Sequence, residues 1–282
     1  MIVACGSASQ SEPEAARPDW RIVIHGGAGV ILRENLSAEQ EADYRAALEV
    51  ALNAGTDVLD GGGTSLDAVQ AAVLTMEDNP LFNAGYGAVM TAAHEHELDA
   101  SIMDGRDRDA GAVAGVKRVR NPILAARAVM DQSEHVMFAG EGADSFAESV
   151  GLDMVDGNIA AATTTGGMTA KAAGRIGDSP LIGAATYAQN GVCAVSATGH
   201  GEYFIRVGVA RTICSRVELA GDSIEAAAEN ALGQVADLGG DGGVIVMGGE
   251  GEYAYVFNSR GMYRGMKDST GAMETAIFEA ND

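Results

Sequence analysis

An arginine and an aspartate in one loop are the residues of this chain best suited to binding a small charged molecule. The stretch 160–179 reads AAATTTGGMTAKAAGRIGDS and carries Arg175 and Asp178 in a glycine-rich loop after a strand of small residues. A guanidinium binds a carboxylate through paired N–H donors, and a carboxylate binds an ammonium group. The pair predicts a site for the backbone end of a free amino acid; the alternative is an exposed ion pair, which stabilises little.

A second loop, ATGHG at 197–201, offers the Thr198 hydroxyl and backbone N–H groups to a ligand. Further glycine-rich motifs lie in a fixed order along the chain: HGGAG at 25–29, FNAGYGAVMT at 82–91, LDASIMDG at 98–105 and GGDGGVIVM at 239–247. In these motifs the chain resembles the plant-type asparaginase and isoaspartyl peptidase family, over about residues 21–263.

The resemblance implies a threonine-type Ntn-hydrolase with an α+β fold, built as a four-layer αββα sandwich. In such enzymes the precursor cleaves itself before a Thr, whose freed α-amine then acts as base for its own hydroxyl. The implied activity is that of an isoaspartyl peptidase or L-asparaginase, which hydrolyses the side-chain amide of Asn or the β-linked bond of β-aspartyl peptides. The GGMT after the Thr run favours this branch over the glycosylasparaginases.

The resemblance also assigns roles to residues of this chain. Arg175 and Asp178 match the residues that bind the α-carboxylate and α-amine of the substrate, and Thr198 with Gly199 matches the oxyanion hole. Thr165 matches a Thr that assists the nucleophile. The other substrate-binding positions are Asn83, Ile176, Gly177, His200 and Gly201, with His200 standing where a Thr is more usual.

A structural sodium ion is the one bound ion that the resemblance implies, with no other cofactor. Sodium is a hard cation suited to oxygen ligands. The backbone carbonyls that would bind it are those of Met76, Asn79, Phe82, Ala84 and Tyr86. His94 and His96 alternate in HEHE and offer a zinc alternative, but the Cys residues that could complete it are distant in sequence, so we favour a solvated hairpin there.

The nucleophile strand of the family, which reads roughly GTVGAVALD, has no counterpart in this sequence. Residues 140–155 resemble the end of the family's first subunit and lead directly into DGNIAAATTTGG. Thr163, Thr164 and Thr165 follow this junction, but an internal Thr has no free amine to serve as base. The open interpretations are a hydrolase, a catalytically inactive pseudoenzyme that binds amino acids or a partner subunit, and a gap in the sequence itself. Taken literally, the missing Thr favours the pseudoenzyme and predicts neither self-cleavage nor turnover.

The loss of a central strand would leave backbone groups of its neighbours unpaired. Residues 149–153 read SVGLD and echo the AVALD of the family. We therefore expect residues 150–154 to form a replacement strand after a shortened helix, or else a protein of low stability.

Composition favours one mixed domain over residues 21–282. The chain has 282 residues, of which 47% are hydrophobic and 38 are glycine. A formal net charge of −22 argues against nucleic acid or an anionic membrane as a partner, because phosphate groups would be repelled. We expect a small-molecule substrate and a homodimer.

Residues 1–20 are small and polar and predict a flexible N-terminal segment. MIVAC resembles the end of a bacterial lipoprotein signal, in which Cys5 would carry the lipid. This predicts a periplasmic or lipid-anchored protein of the bacterial envelope, with a cytoplasmic protein as the alternative. Cys193 and Cys214 fall in predicted buried elements, so we expect free thiols.

Periodicity places the remaining elements. Strands are predicted at 21–25, 98–103, 110–116, 159–165, 192–198, 243–247 and 253–257, and helices at 41–54, 66–76, 203–219 and 224–238, with a further helix after Pro122. Strands grouped apart from helices indicate an α+β fold.

Overall fold

A computed structural model of the chain describes residues 19–29, 31–154 and 164–278. The strands are β1 Arg21–Gly29, β2 Leu98–Met103, β3 Ala110–Val116, β4 Met137–Ala139, β5 Thr164–Thr165, β6 Thr186–Gln189, β7 Cys193–Gly199, β8 Gly242–Gly248, β9 Tyr253–Phe257, β10 Gly261–Asp268 and β11 Met273–Ala276. The helices are α1 Ala38–Asp60, α2 Ser65–Glu77, α3 Pro122–Gln132, α4 Gly140–Ser149, α5 Gly201–Val207, α6 Val209–Ser215 and α7 Ile224–Asp237. The α+β class is confirmed.

Side-chain caps fix where the first helices begin. Ser37 accepts a hydrogen bond from the backbone N–H of Gln40, whose side chain bonds back to the Ser37 N–H, so α1 starts with a capping box. Thr64 accepts from the N–H of Asp67 and caps α2. Pro122 occupies the first turn of α3, where its missing N–H costs nothing.

The sheets form the two inner layers of a four-layer sandwich. One sheet has the order β1-β10-β11, a second β4-β3-β2-β5, and a third β6-β7-β8-β9. β1 packs on β7 and β8, while β2 packs on β6, so the first two sheets face the third. α1 covers β1 and β10, α3 and α4 cover β3, and α6 with α7 covers the third sheet. This order of layers is the αββα arrangement that the resemblance implies.

The long helix predicted over 203–219 is broken in the structure. Gly208 has φ 63° and ψ 49°, a left-handed conformation that ends α5 and lets α6 start in a new direction. The first N–H groups of α6 then bond outside the helix, because Ala210 donates to the Ala184 carbonyl and Arg211 to the Gly183 carbonyl. These long-range bonds are not visible as periodicity.

The replacement strand expected at 150–154 is not formed, so that part of the prediction is wrong, while the alternative of low stability stays a prediction. α4 keeps its full length to Ser149, and Gly151 follows in a left-handed conformation with φ 78°. The Gly151 N–H donates to the Glu148 carbonyl and the Leu152 N–H to the Ala147 carbonyl. This is the Schellman pattern of a glycine-terminated helix, so the helix stop decides the local structure. Met154 alone makes an isolated bridge, with Val119.

The expectation of free thiols is also wrong. Cys193 on β7 and Cys214 on α6 form a disulfide with their Cα atoms 5.6 Å apart. Both residues are buried, because α6 packs directly on β7. The bond therefore ties the strand that ends in the ATGHG loop to the helix layer behind it.

Candidate functional site

An open cleft of about 1530 Å³ brings most of the predicted site residues together. β1 and β7 contribute to its walls, as do the loops around residues 83, 165 and 178. Ile176 and Gly201 are not part of the lining. The predicted residues that line it are Asn83, Thr165, Arg175, Gly177, Asp178, Thr198, Gly199 and His200.

The Arg175 guanidinium is held along one edge by Glu202. Its Nε donates to Oε1 of Glu202 at 2.7 Å and its Nη2 to Oε2 at 2.5 Å. Glu202 raises the pKa of Arg175, and Arg175 lowers the pKa of Glu202 through the same hydrogen bonds. Among the described residues Nη1 has no hydrogen-bond partner, and it lies against Gly177 of the cleft lining. That end of the guanidinium is available to a ligand carboxylate.

Asp178 presents a buried carboxylate to the same cleft. The residue is only 5% exposed, and its Oδ2 has no hydrogen-bond partner in the described part of the chain. Burial raises the pKa of this carboxyl to about 7. A Cβ on Gly201 would lie 2.7 Å from Oδ1, so the glycine allows the ATGHG loop to pack on Asp178. A buried acceptor without a partner is suited to an ammonium group, which would supply the missing donors.

The oxyanion pair predicted from the ATGHG loop is held at the end of β7. The Ala28 N–H donates to Oγ1 of Thr198 at 3.2 Å, which leaves the hydroxyl proton free to point elsewhere. Gly199 has φ 152°, and a Cβ there would lie 2.5 Å from the Asp241 carbonyl. Only glycine fits at that position, between the ends of β7 and β8.

β1 is tied to the same strand by a polar contact. Nε2 of His25 lies 2.8 Å from Oγ of Ser196. Burial lowers the pKa of His25 to about 4, so the imidazole is neutral near pH 7. This bond joins β1 to β7, which is a structural role for His25.

Thr165 and Asn83 connect two loops of the cleft. Oγ1 of Thr165 accepts from the Gly167 N–H at 2.8 Å. Nδ2 of Asn83 donates to the Gly167 carbonyl at 2.9 Å, and its Oδ1 accepts from the Val89 N–H at 3.0 Å. Both side chains therefore hold the backbone of the cleft wall. Thr164 lies in β5, whereas Thr163 lies outside the described residues.

Sequence reasoning missed a buried charge cluster beneath the Arg175 loop. Lys171 is 5% exposed, and its Nζ donates to the Glu97 carbonyl and lies 3.9 Å from Oε2 of Glu97. The Gly174 N–H donates to that Oε2 at 2.8 Å. Burial lowers the pKa of Lys171 and raises that of the adjacent Asp99. The cluster anchors the loop at the residue before Arg175, and no local sequence signal joins residues so far apart.

The loop after α2 offers carbonyl oxygens in the region predicted to bind sodium. Gly85 has φ 57°, and a Cβ there would lie 1.7 Å from the Glu77 carbonyl oxygen. A Cβ on Gly87 would lie 2.2 Å from the Phe82 carbonyl oxygen. These oxygens crowd the glycine backbone at a helix C-terminus, where partial negative charge favours a cation. The Met76, Asn79, Phe82 and Ala84 carbonyls each accept a backbone hydrogen bond and retain a second lone pair, and carbonyl oxygens are the ligand type that a hard cation such as sodium prefers.

No cluster of three or more His, Cys, Asp or Glu side chains suited to a metal ion occurs in the described residues. His94 lies in a turn with φ 60°, and the structure assigns no strand to the HEHE segment. The alternating geometry behind the zinc alternative is therefore not formed.

Comparison with known proteins gives a consistent set of relatives. The family described as Asparaginase matches residues 18–157 and 155–277, two parts that meet close to the junction noted in the sequence. The isoaspartyl peptidase of Escherichia coli K12 is 42% identical over 306 positions, covering 91% of this chain and 95% of that protein. Since the alignment is longer than the 282 residues of this chain, some positions of that relative have no counterpart here.

Eukaryotic relatives show the same similarity. The isoaspartyl peptidase/L-asparaginase of Xenopus laevis is 38% identical, covering 86% of this chain and 90% of that protein. The protein of the same name from Mus musculus is 36% identical, and the match covers 92% of each.

Proposed function

Because the chain belongs to the asparaginase family, we propose that it is a hydrolase of the isoaspartyl peptidase and L-asparaginase type. Its proposed substrates are asparagine, which is hydrolysed at the side-chain amide, or β-aspartyl peptides, which are hydrolysed at the β-linked bond. One observation carries the proposal: the free Nη1 end of Arg175 and the unpartnered Oδ2 of Asp178 line the same cleft. Asparagine and β-aspartyl peptides both present a free α-carboxylate and a free α-amine to such a pair. An α-linked aspartyl peptide lacks the free α-carboxylate.

The missing nucleophile strand favours a pseudoenzyme when the sequence is considered alone. We prefer the hydrolase because the residues predicted to bind the substrate and to stabilise an oxyanion, Arg175, Asp178, Thr198 and Gly199, all line one cleft. The alternative, a protein that binds amino acids or a partner subunit without turnover, is an outcome of the following test.

The test measures release of ammonia from L-asparagine and of free aspartate from a β-aspartyl dipeptide. The matched control is the α-linked isomer of the same dipeptide, and Arg175→Ala is the variant control. We expect slow hydrolysis of asparagine or the β-linked peptide, none of the α-linked peptide, and none by the variant. Aspartate binding without any turnover would instead assign the pseudoenzyme function.

We also propose that the loop after α2 binds a sodium ion as a structural element. The carbonyls of Met76, Asn79, Phe82, Ala84 and Tyr86 would hold it. The support is the crowding of carbonyl oxygens around Gly85 and Gly87. Thermal unfolding in sodium chloride and in choline chloride of equal ionic strength tests it, with a higher Tm expected in sodium.

We propose an oxidising location for the protein, in the periplasm or anchored to lipid through Cys5. The Cys193–Cys214 disulfide supports this, because such bonds persist in oxidising compartments. No helix of the described residues is long and apolar enough to cross a membrane. Fractionation of cells that express the chain with its native upstream sequence tests the location.

A homodimer is proposed on the evidence of exposed apolar side chains on two joined loops. Tyr86, Met90 and Met168 are each more than 40% exposed. The Ala170 N–H donates to the Met90 carbonyl, so the loops form one surface. Gel filtration with light scattering decides between monomer and dimer.

A further inference from the structure

A histidine and an aspartate lie side by side at the mouth of the cleft, next to the oxyanion pair. His200 follows β7 directly and Asp241 precedes β8, and the two strands pair in register at Gly199 and Gly242. The His200 N–H donates to the Asp241 carbonyl at 2.9 Å. Nδ1 of His200 lies 3.2 Å from Oδ1 of Asp241, close enough for an ion pair when the ring is protonated, but the two atoms do not form a hydrogen bond. The sheet itself therefore holds the two side chains together.

The His200 ring is oriented with one nitrogen inward and one outward. Nδ1 is inaccessible to solvent, whereas the side chain as a whole is 42% exposed. The exposed edge is therefore the opposite one, which carries Nε2. Tyr203 packs against the ring at a centroid distance of 5.7 Å in a T-shaped contact. His200 and Asp241 both line the cleft that Arg175 and Asp178 also line.

We propose that His200, oriented by Asp241, is the general base that activates water in this protein. The negative charge of Asp241 near Nδ1 favours the tautomer of a neutral imidazole that carries its proton on Nδ1, and a shift of the ring on substrate binding would complete that hydrogen bond and leave Nε2 to accept a proton. Threonine-type Ntn-hydrolases use the α-amine of the nucleophile as base, and this chain has no stretch that supplies one. A Thr at position 200, the residue more usual in the family, offers no base. The inference rests on the proposed hydrolase function.

Hydrolysis by this route needs only water and the substrate. Water transfers a proton to Nε2 of His200, and its oxygen forms a bond to the carbonyl carbon of the side-chain amide. The resulting oxyanion is stabilised by the Thr198 hydroxyl and the Gly199 N–H. The C–N bond then breaks, and the leaving nitrogen takes the proton from Nε2. The products are aspartate with ammonia from asparagine, or aspartate with the released amino acid from a β-aspartyl peptide.

The charged and titratable groups near His200 come from three parts of the chain. Asp241 lies directly before β8, and Glu202 and Tyr203 lie on α5. Arg175 and Asp178 lie in the loop between β5 and β6. The charge of Arg175 is balanced by Glu202. Burial raises the pKa of Asp178 to about 7, so ionisation of Asp178 also changes the rate of hydrolysis near neutral pH. The pH profile of the rate must therefore be compared between the wild type and the variants.

The experiment measures initial rates of asparagine or β-aspartyl dipeptide hydrolysis against pH for the wild type, His200→Asn, His200→Thr and Asp241→Asn. We expect the His200 variants to lose about 10²- to 10⁴-fold in rate and to lose the rise with pH that deprotonation of a histidine base produces. Asp241→Asn should lose about 10-fold or more, because the wrong imidazole tautomer is favoured. His135→Asn removes an exposed histidine on the α3–β4 connection and should match the wild type.

Calorimetric measurement of aspartate binding distinguishes loss of catalysis from loss of folding. We expect both His200 variants to bind aspartate with an affinity within about 3-fold of the wild type, because Arg175 and Asp178 are the proposed binding residues. Hydrolysis at the wild-type rate and pH profile by His200→Asn would overturn this inference and leave the proposed function intact. Absence of turnover in the wild type would overturn both.

Discussion

Arg175 and Glu202 form a two-point ion pair that uses the Nε–Nη2 edge of the guanidinium, at 2.7 and 2.5 Å, and leaves Nη1 toward the cleft. The side chain of Arg175 is 17% exposed and that of Glu202 is 52% exposed, so the carboxylate approaches from the solvent side. A planar guanidinium held along one edge has a fixed orientation. Glu202 therefore orients the guanidinium that we propose binds the ligand carboxylate.

Glu202→Gln should weaken aspartate binding, because the guanidinium loses its charged partner and gains rotational freedom. The expected loss is about 3- to 10-fold in Kd, close to 1 kcal/mol. Glu148→Gln is the matched control, since Glu148 pairs with Arg118 on the surface and away from the cleft lining. Tighter binding by Glu202→Gln would show that Glu202 competes with the ligand instead of orienting Arg175.

Asp178 should make stability and ligand affinity respond to pH in opposite directions. Its pKa is raised to about 7 by burial, so the folded state holds the proton more strongly than the unfolded state. The corresponding stability is complete below the unfolded pKa of about 4 and is lost as the pH rises toward 7. Aspartate binding should strengthen over the same rise, because only the ionised carboxylate pairs with an ammonium group.

Thermal unfolding between about pH 4 and pH 8, with and without aspartate, measures both effects. The Asp178→Asn variant should show a flatter dependence of stability on pH and little stabilisation by aspartate. A variant with the same pH profile as the wild type would assign the titration to another group.

The disulfide should be a major part of the stability of the α6 layer. Cys193 and Cys214 are separated by 21 residues. Closing a loop of that length lowers the entropy of the unfolded chain by an amount worth about 3 kcal/mol. Urea unfolding with and without reductant measures the difference. The disulfide leaves only Cys5 to react, so alkylation of Cys193 and Cys214 in the denatured, unreduced protein would contradict the assignment.

The purified chain should remain a single polypeptide. Self-cleavage needs a Thr after a strained peptide bond, and the sequence has no GTVGAVALD stretch. Denaturing electrophoresis after long incubation should show one band. Two fragments, with a Thr at the new N-terminus by sequencing, would point instead to one of Thr163, Thr164 and Thr165 as nucleophile.

Local patterns predicted the elements whose ends are set by local chemistry. β2, β3 and β9 have the predicted bounds, and α3 begins at Pro122 as expected. Gly151 is a local helix-stop signal, and it decides the structure against the strand that similarity to the family predicts. β10 and β11 were not predicted, although β10 pairs with both β1 and β11.

Long-range partners could not be predicted in the same way. The motifs indicated Arg175 and Asp178, but Glu202 lies 27 residues from Arg175 and joins it only because the ATGHG loop packs on Asp178. Lys171 and Glu97 are 74 residues apart. Burial decides the pKa of Asp178, and burial depends on the assembled layers.

The proposed function requires Arg175 to bind the carboxylate of an amino acid in the cleft. Isothermal calorimetry with L-aspartate on the wild type, Arg175→Lys and Arg175→Ala tests this, with Arg118→Ala as a control for loss of a surface charge. We expect the wild type and the Arg118→Ala control to bind aspartate weakly. Arg175→Lys should bind at least about 10-fold more weakly, because lysine lacks the planar guanidinium with its paired N–H donors. Arg175→Ala should show no detectable binding. Equal affinity of the wild type and Arg175→Ala would contradict the account and leave Arg175 as a structural partner of Glu202.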